Sequence, residues 1–272
     1  MSDLVLDGSR ALLPDETGAL IDLRGARGWL RRLAPEGWRD DVPPAGHDAV
    51  VRSAWVSTLV TIARLPELSW LSPLDVLFAA EDKLAQQAAC RAVGIPVPPM
   101  ALVTRPHRIP ADLGEWLVVK PMAAGHFRDG EGAGRVVHAT EMHRSDDRLK
   151  LLAGAPFLVQ TRVQARVHLR VVTVDQQAWV CELDATDLPL DWRADEAAHS
   201  SFVPASRPAI ASKALALAAR LRLGYSSQDW VIDLDGSASF LDLNPAGQWL
   251  FLPPETAGPA TTAIANWLVS SP

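Results

Sequence analysis

Two pairs of β-rich runs, each joined by a short polar turn, constrain the fold of this chain most strongly. The runs and turns are, in chain order, Leu169–Val174, Asp175–Gln177, Ala178–Leu183, Asp229–Asp233, Asp235–Gly236 and Ser239–Leu243. Short turns of this kind join neighbouring antiparallel strands into hairpins. The remaining elements do not follow the regular strand–helix alternation of a doubly wound sheet. The sequence therefore predicts a mostly antiparallel α+β fold.

The spacing of apolar residues and the positions of glycine and proline predict the elements around these hairpins. Helices are expected at Gly25–Leu33, Ala49–Leu65, Glu81–Val93 and Pro208–Leu223. An apolar run, Trp116–Lys120, precedes a glycine-rich stretch at 123–134, and a second apolar run follows at Val136–Val137. A strand, a glycine-rich loop and another strand are typical of a flap over a bound nucleotide.

Charge and cysteine usage exclude several classes of protein. The formal net charge of −6 disfavours a general nucleic-acid binder, because that binding needs a basic surface. Cys90 and Cys181 have no metal-ligand spacing and are interpreted as free thiols in a reducing compartment. No signal-peptide run is found, and no apolar run reaches the roughly 18 residues that cross a bilayer. These features predict a cytoplasmic protein without a nucleic-acid or membrane partner.

Three oxygen-bearing side chains gather on the second hairpin. Asp229 lies level with Asp242 when the hairpin turns at Asp235–Gly236. Asn244 lies two residues beyond Asp242, so both side chains leave the same face of the strand. Mg²⁺ favours such a sparse oxygen set and completes its shell with phosphate oxygens and water. The competing interpretation is a solvated hairpin with acids on its outer face.

Two lysines upstream complement this acidic patch. Lys83 lies at the start of a predicted helix, and Lys120 ends an apolar strand. A single lysine of either kind is usually a surface residue. Together, however, two lysines facing a metal-bound patch would neutralise a triphosphate from the other side.

Six segments in a fixed order carry a family resemblance. They are DKLAQQAACRAVGIPVPP, VVKP, the glycine-rich loop, FLVQTRV, HLRVVTV and DW…FLDLNP. Their order and spacing resemble the motif set of the ATP-grasp superfamily, which includes D-alanine–D-alanine ligase. The resemblance implies the ATP-grasp fold, with two α+β lobes holding ATP at about 73–158 and about 159–272. A shortened N-terminal α/β unit would occupy 1–72.

A narrower resemblance concerns the graspetide (microviridin-type) maturases, which macrocyclise ribosomally made peptides. It rests on GWLRRLAP at 28–35, DWR at 191–193 and LNPAGQWLF at 243–251. The resemblance implies a precursor peptide with acidic and Ser, Thr or Lys residues as the partner, and a homodimer. The N-terminal unit is shorter than in the maturases. If leader binding needs the missing strands, the resemblance implies that recognition differs here or involves another protein.

The superfamily resemblance implies which residues hold the nucleotide. Lys83 and Lys120 match its two phosphate-binding lysines, and the stretch at 123–134 matches the lid whose backbone amides cover the phosphates. The backbone of the hinge between the lobes would contact the adenine edge. The hinge residues are Gln160, Thr161, Arg162 and Val163.

The same resemblance implies the reacting groups. Arg170 matches the arginine that steadies the γ-phosphoryl group, and Asp229, Asp242 and Asn244 match the Mg²⁺ ligands. Two positions depart from the pattern. Asp242 stands where the superfamily usually has glutamate, and His168 stands where related enzymes tend to carry an acid.

The DWR motif suggests how the substrate carboxylate is held. Arg193 can pair with a carboxylate through two hydrogen bonds, and Asp191 can orient Arg193. The alternative is a local ion pair at a loop. The expected reaction is ATP-dependent activation of a carboxylate as an acyl phosphate, followed by an ester or amide bond.

Two other functions remain open. One is an ATP-grasp ligase that joins free amino acids or metabolites, which would share every ATP-binding residue. The other is a catalytically silent, peptide-binding partner protein, suggested by the departures at His168 and Asp242. Five N-terminal arginines, Arg24, Arg27, Arg31, Arg32 and Arg39, either form a solvated face or receive an acidic peptide.

Overall fold

The computed structural model describes residues 4–7, 11–31, 46–122, 126–128, 130 and 133–270. Its α-helices are α1 (His47–Ile62), α2 (Leu74–Ala80), α3 (Lys83–Ala92), α4 (Glu196–Ser200), α5 (Pro208–Arg220) and α6 (Pro254–Val269). Its strands are β1 (Val5–Leu6), β2 (Ala11–Pro14), β3 (Leu20–Asp22), β4 (Arg27–Gly28), β5 (Ser69–Trp70), β6 (Met100–Val103), β7 (Trp116–Lys120), β8 (His126–Arg128), β9 (Gly134–Val136), β10 (Thr140–His143), β11 (Phe157–Thr161), β12 (Ala165–Val174), β13 (Gln177–Asp184), β14 (Val203–Pro204), β15 (Tyr225–Asp233) and β16 (Ala238–Asn244).

The largest sheet has five antiparallel strands in the order β14–β13–β12–β15–β16. It confirms both predicted hairpins, because β12 pairs with β13 and β15 pairs with β16. The turns contain Asp175 with φ 51° and Gly236 with φ 84°. Glycine and aspartate adopt this left-handed region more readily than other residues do, which is why the chain reverses there.

One face of the five-stranded sheet is covered by α3 and α5, which were both predicted. Leu217 of α5 is fully buried in a core with Leu169, Val171 and Trp230 of the sheet. Burial of one such side chain stabilises the fold by about 1.5–3 kcal/mol. This face therefore anchors the sheet.

The other face of the sheet is divided into two regions. At one end, α6 packs on Val172 and Tyr225, with Ile264 in the shared core. At the other end, His168 and Asp229 of the same face line an open cleft. The strands β12 and β15 therefore supply residues both to the packed end and to the cleft floor.

A second, four-stranded sheet has the strand order β10–β7–β11–β6. One of its faces packs into a separate core that contains Leu117, Val119 and Val159. The alternate residues Lys120 and Gln160 line the cleft. The cleft is thus bounded by two sheets, and its polar residues come from both.

The glycine-rich stretch at 123–134 is described only in part. The strands β8 and β9 pair antiparallel across it, whereas residues 123–125, 129 and 131–132 lie outside the described residues. The strands β7 and β9 agree with the strands predicted on either side of the stretch, whereas β8 lies inside the part that was predicted as a loop. The role of this stretch as a lid stays a prediction.

The helix predicted at Gly25–Leu33 is wrong over the part that the structure describes. Residues 27–28 instead form β4, which pairs in parallel with β5. A Cβ on Gly28 would lie 2.6 Å from a ring carbon of Trp70, so the backbone is pressed against that ring. The Trp29 ring packs 5.4 Å from the Trp249 ring. These tertiary contacts override the local helix propensity.

The helix predicted at Ala49–Leu65 is present as α1, but its apolar stripe is exposed. Val50, Trp55 and Leu59 are 68%, 41% and 37% exposed, while Ile62 is buried. Within the described part of the chain, none of the helices combines the length and hydropathy that a membrane crossing requires.

Candidate active site

The cleft between the two sheets has a volume of about 940 Å³. Most of the predicted site residues line it, namely Lys83, Lys120, Gln160, Thr161, Arg162, Val163, Asp191, Arg193, Asp229, Asp242 and Asn244. They come from elements far apart in sequence, so the fold brings them together. A volume of this size accommodates a nucleotide and part of a second ligand.

The acidic floor of the cleft follows from strand register. Asp229 of β15 is paired directly with Asp242 of β16, and the register shifts at the next residue, Trp230. Asn244 lies two residues after Asp242 on β16 and lines the same cleft. Its Oδ1 atom accepts a hydrogen bond of 2.8 Å from the N–H of Ala246, which fixes the amide in place.

Lys83 neutralises one of these acids directly. It is the first residue of α3, and the Asp82 side chain caps that helix. The Lys83 Nζ atom donates to Asp242 Oδ1 at 2.7 Å. Burial acts to raise the pKa of Asp242, but Lys83, Lys120 and Arg193 outweigh it and hold that pKa below its usual value. Asp242 is therefore a stable carboxylate in the cleft.

Lys120 is the second ammonium group facing the floor. It ends β7 and is partly buried at the cleft wall. Burial lowers its pKa to about 8, against the opposing attraction of Asp242. An ammonium group held away from water gains strongly from a new anionic partner, so Lys120 is suited to bind phosphate.

Arg170 lies behind the floor and is not among the residues that line the cleft. Its guanidinium donates to Asp229 Oδ1 at 2.7 Å and to the carbonyl oxygen of Gln248 at 3.1 Å. Gly247 packs closely enough that a Cβ there would lie 3.3 Å from Arg170 Nη2. In this structure Arg170 positions Asp229, and its predicted contact with the γ-phosphoryl group stays a prediction.

Asp191 and Arg193 form the local ion pair that was the alternative interpretation, and they also reach the cleft. Asp191 accepts from Arg193 Nε at 2.7 Å and Nη2 at 3.1 Å. Arg193 Nη1 lies 3.9 Å from Asp229 Oδ2. Burial acts to raise the pKa of Asp191, but Arg193 outweighs it and lowers that pKa. A carboxylate-binding arginine is thus held beside the acidic floor.

The predicted hinge lies at the other end of the cleft. Gln160 is buried at the end of β11, and the N–H groups of Thr161 and Arg162 are already bonded to backbone carbonyls. Arg162 forms an ion pair with Glu141 of β10. The hinge therefore joins the strands of the four-stranded sheet before the chain crosses to β12.

Several cleft residues were not predicted from the sequence. Glu141 and His138 belong to the segment around β10, and Glu81 precedes α3. His138 Nδ1 lies 3.4 Å from Asp191 Oδ2. None of these residues belongs to a motif singled out in the sequence, and only the three-dimensional structure places them in the cleft.

The donor set suits Mg²⁺ better than a transition metal. Among the described residues, no group of three His, Cys, Asp or Glu side chains is placed to hold a metal ion. Two paired carboxylates and an amide oxygen remain, which is the sparse oxygen set that Mg²⁺ takes together with phosphate oxygens and water. The residues present therefore fit a nucleotide-bound Mg²⁺.

Two sheets bound one cleft, in which Lys83 of α3 and Lys120 of β7 lie beside the acidic floor, and this architecture is that of the ATP-grasp type of fold. Comparison with solved structures confirms that the chain has this predicted fold. No protein-family model matches the sequence, and no curated protein sequence matches it.

The similar structures include ligases that act on peptides. A Chryseobacterium gregarium RiPP-associated ATP-grasp ligase, in complex with ADP and a leader and core peptide, has a TM-score of 0.85 and 18% identity, with 98% of this chain and 83% of that chain covered. The macrocyclase MdnC from Microcystis aeruginosa MRC, bound with precursor peptide MdnA, has a TM-score of 0.77 and 21% identity, with 99% and 86% covered. The ATP-grasp ligase PsnB, complexed with minimal precursor, has a TM-score of 0.64 and 18% identity, with 96% and 87% covered.

Proposed function

We propose that this chain is an ATP-dependent carboxylate ligase, which forms an acyl phosphate and passes the acyl group to a hydroxyl or an amine. One observation carries the proposal: two lysines and two register-paired aspartates converge in a single cleft of an ATP-grasp fold. These are Lys83, Lys120, Asp229 and Asp242. Such an arrangement offsets the charge that otherwise repels an anionic nucleophile from ATP.

The nucleotide would lie along the cleft from the hinge to the acidic floor. The backbone of residues 160–163 would contact the adenine, and Lys120 would bind phosphate oxygens. Asp229, Asp242 and Asn244 would hold Mg²⁺, which would neutralise phosphate charge. With Asp242 occupied in this way, Lys83 would exchange its bond with Asp242 for a phosphate contact.

The first step activates a carboxylate. A substrate carboxylate oxygen attacks the γ-phosphorus of ATP, the bond to the bridging oxygen breaks, and ADP leaves. Arg193 would pair with this carboxylate, because its guanidinium is held by Asp191 at 2.7 Å and reaches within 3.9 Å of Asp229. Arg170 would keep Asp229 in place from behind.

The second step forms the bond. A hydroxyl or amine attacks the acyl carbon, and phosphate leaves. We infer that the substrate is a ribosomally made precursor peptide, whose acidic side chains are joined to Ser, Thr or Lys side chains in a ring. The similar ligases with leader, core or precursor peptides support this choice. The homodimer, the cytoplasmic location and the lobe boundaries at about 73–158 and about 159–272 stay predictions.

The proposal is tested by incubating the purified chain with ATP, Mg²⁺ and a candidate precursor peptide that is rich in Thr, Ser, Glu and Asp. We expect ADP release that requires both Mg²⁺ and peptide, and loss of one water mass from the peptide for each bond formed. ADP release with free amino acids but not with peptide would favour the small-molecule ligase. No ADP release with either substrate would favour the catalytically silent partner protein and contradict the proposal.

A further inference from the structure

His138 approaches the DWR motif from the opposite wall of the cleft. It lies between β9 and β10, whereas Asp191 precedes the 3-10 helix Trp192–Ala194 that follows β13. The 3.4 Å between His138 Nδ1 and Asp191 Oδ2 is an ion-pair distance that a small ring movement converts into a hydrogen bond. The His138 side chain is 42% exposed and lines the cleft, so its second ring nitrogen is accessible to a ligand.

The carboxylates around the cleft are poorly placed to take a proton. Four of them are bound to cations, namely Asp191 to Arg193, Asp229 to Arg170, Asp242 to Lys83 and Glu141 to Arg162. Glu81 also lines the cleft. A carboxylate has a reference pKa of about 4 and is a weak base at neutral pH, whereas imidazole, at about 6.5, is matched to proton transfer there.

A second histidine lines the cleft but differs in environment. His168 is only 8% exposed. Burial is the main cause of its lowered pKa, against the attraction of Asp229 and Asp191. It belongs to the floor of the sheet, whereas His138 stands on the accessible wall beside Asp191. Between the two imidazoles, His138 is therefore the one that an incoming acceptor group can reach.

We propose that His138 is a catalytic residue of the bond-forming step, in which it takes the proton of the acceptor hydroxyl or amine. This inference rests on the proposed function. Asp191 orients the ring through Nδ1, which leaves Nε2 as the proton acceptor. The acceptor oxygen or nitrogen attacks the acyl carbon, the carbon–oxygen bond to phosphate breaks, and phosphate leaves with the electron pair. The acceptor's proton moves to Nε2 and passes from there to solvent.

The test separates the two half-reactions in wild type, His138→Gln and His138→Ala. Glutamine keeps a polar group beside Asp191 but cannot take a proton at neutral pH. Hydroxylamine traps the acyl phosphate as a hydroxamate, so ADP and hydroxamate together report the first step. Mass loss from the same candidate precursor peptide reports the second step. His143→Gln is the matched control, because His143 is exposed on β10 and contacts Ser145 and Glu115 outside the cleft.

In His138→Gln we expect ADP and hydroxamate formation within about twofold of wild type, and bond formation lowered by about 100-fold or more. Added imidazole should restore part of the bond formation in His138→Ala, and His143→Gln should behave as wild type. Bond formation at the wild-type rate in His138→Gln, or an equal loss of both steps, would overturn the inference. If wild type itself forms neither ADP nor hydroxamate, the proposed function fails instead.

Discussion

The two ends of one face of the five-stranded sheet have different physical roles. Under α6, the face is apolar and closed: Val172 and Val174 are fully buried, and Ile264 is 4% exposed. At the cleft, the same face carries Asp229 of β15 and Asp242 of β16, each bound to a cation. The apolar end stabilises the sheet, and that rigid sheet then holds charges at fixed separations. Stability and catalysis therefore depend on opposite ends of one sheet face, rather than on separate domains.

The ion pairs at the cleft end contribute little to this stability. The Arg170 and Asp229 side chains are 8% and 14% exposed, so their attraction is largely offset by desolvation. The Lys83–Asp242 pair is 24% exposed on each side. A ligand phosphate and a metal can replace such partners without disturbing the apolar core. Changes at the cleft end should therefore alter activity, and changes at the α6 end should alter stability.

The largest expected effect is at the cleft floor. Asp242→Asn removes a carboxylate that faces Lys83 and Lys120, and we expect peptide-dependent ADP release to fall by about 1,000-fold. Asp242→Glu is the matched control, because it keeps the negative charge at this position, so it should retain most activity. Steady-state kinetics measures both. An active Asp242→Asn variant would contradict the assignment of catalysis to the cleft end of the sheet.

Arg193→Ala distinguishes substrate binding from nucleotide binding within the cleft. Because Arg193 is assigned to the substrate carboxylate, its loss should lower turnover by about 100-fold and leave the Kd for ATP nearly unchanged. Kinetics with saturating peptide and calorimetric titration with ATP test the two quantities separately. An equal loss of turnover and ATP affinity would place Arg193 on the nucleotide.

Ile264→Ala tests the α6 end. It removes buried apolar volume, and we expect the free energy of unfolding to fall by about 3 kcal/mol, with turnover at low temperature preserved. Val269→Ala is the control in the same helix, because Val269 is 82% exposed. Denaturant titration gives the free energies. A loss of turnover without a loss of stability in Ile264→Ala would contradict the separation.

Lys120→Met has the smallest expected effect on stability. Unlike Ile264→Ala, it should stabilise the fold. Burial is the main cause that lowers the pKa of Lys120 from 10.5 to about 8, so between these values the unfolded chain binds more protons than the folded one. Wild-type stability should therefore rise with pH across that window. At neutral pH, Lys120→Met should raise the Tm by about 2–4 °C, equivalent to about 1 kcal/mol, while weakening ATP binding. Melting curves from pH 7 to 10.5 that coincide for the two proteins would contradict this.

The sequence predicts the floor of the site better than its walls. The hairpin of β15 and β16 is encoded locally around Asp235–Gly236, which brings Asp229 and Asp242 to about the same level. Their direct pairing also requires the register shift between Asp229 and Trp230. The contact of His138 with Asp191 depends on how two sheets approach each other. No local pattern encodes that approach.

The same contrast applies to the helices. The helix α5, rich in Ala and Leu, was predicted, whereas α6 was not, because Gly258 and Pro259 interrupt its pattern. The residues Ala260 and Ile264 bury that helix against the sheet, and this packing outweighs the unfavourable residues. The wrong helix at Gly25–Leu33 is the reverse case, in which packing removed a locally favourable helix.

The central claim is that acids and lysines converge on one bound triphosphate. A crystal structure with a non-hydrolysable ATP analogue and Mn²⁺ tests it directly, because Mn²⁺ is located by its anomalous signal. We expect a metal peak beside Asp229 and Asp242, with Lys83 moved from Asp242 to a phosphate oxygen. A nucleotide bound elsewhere, or Lys83 still paired with Asp242 and no metal peak at the floor, would contradict it.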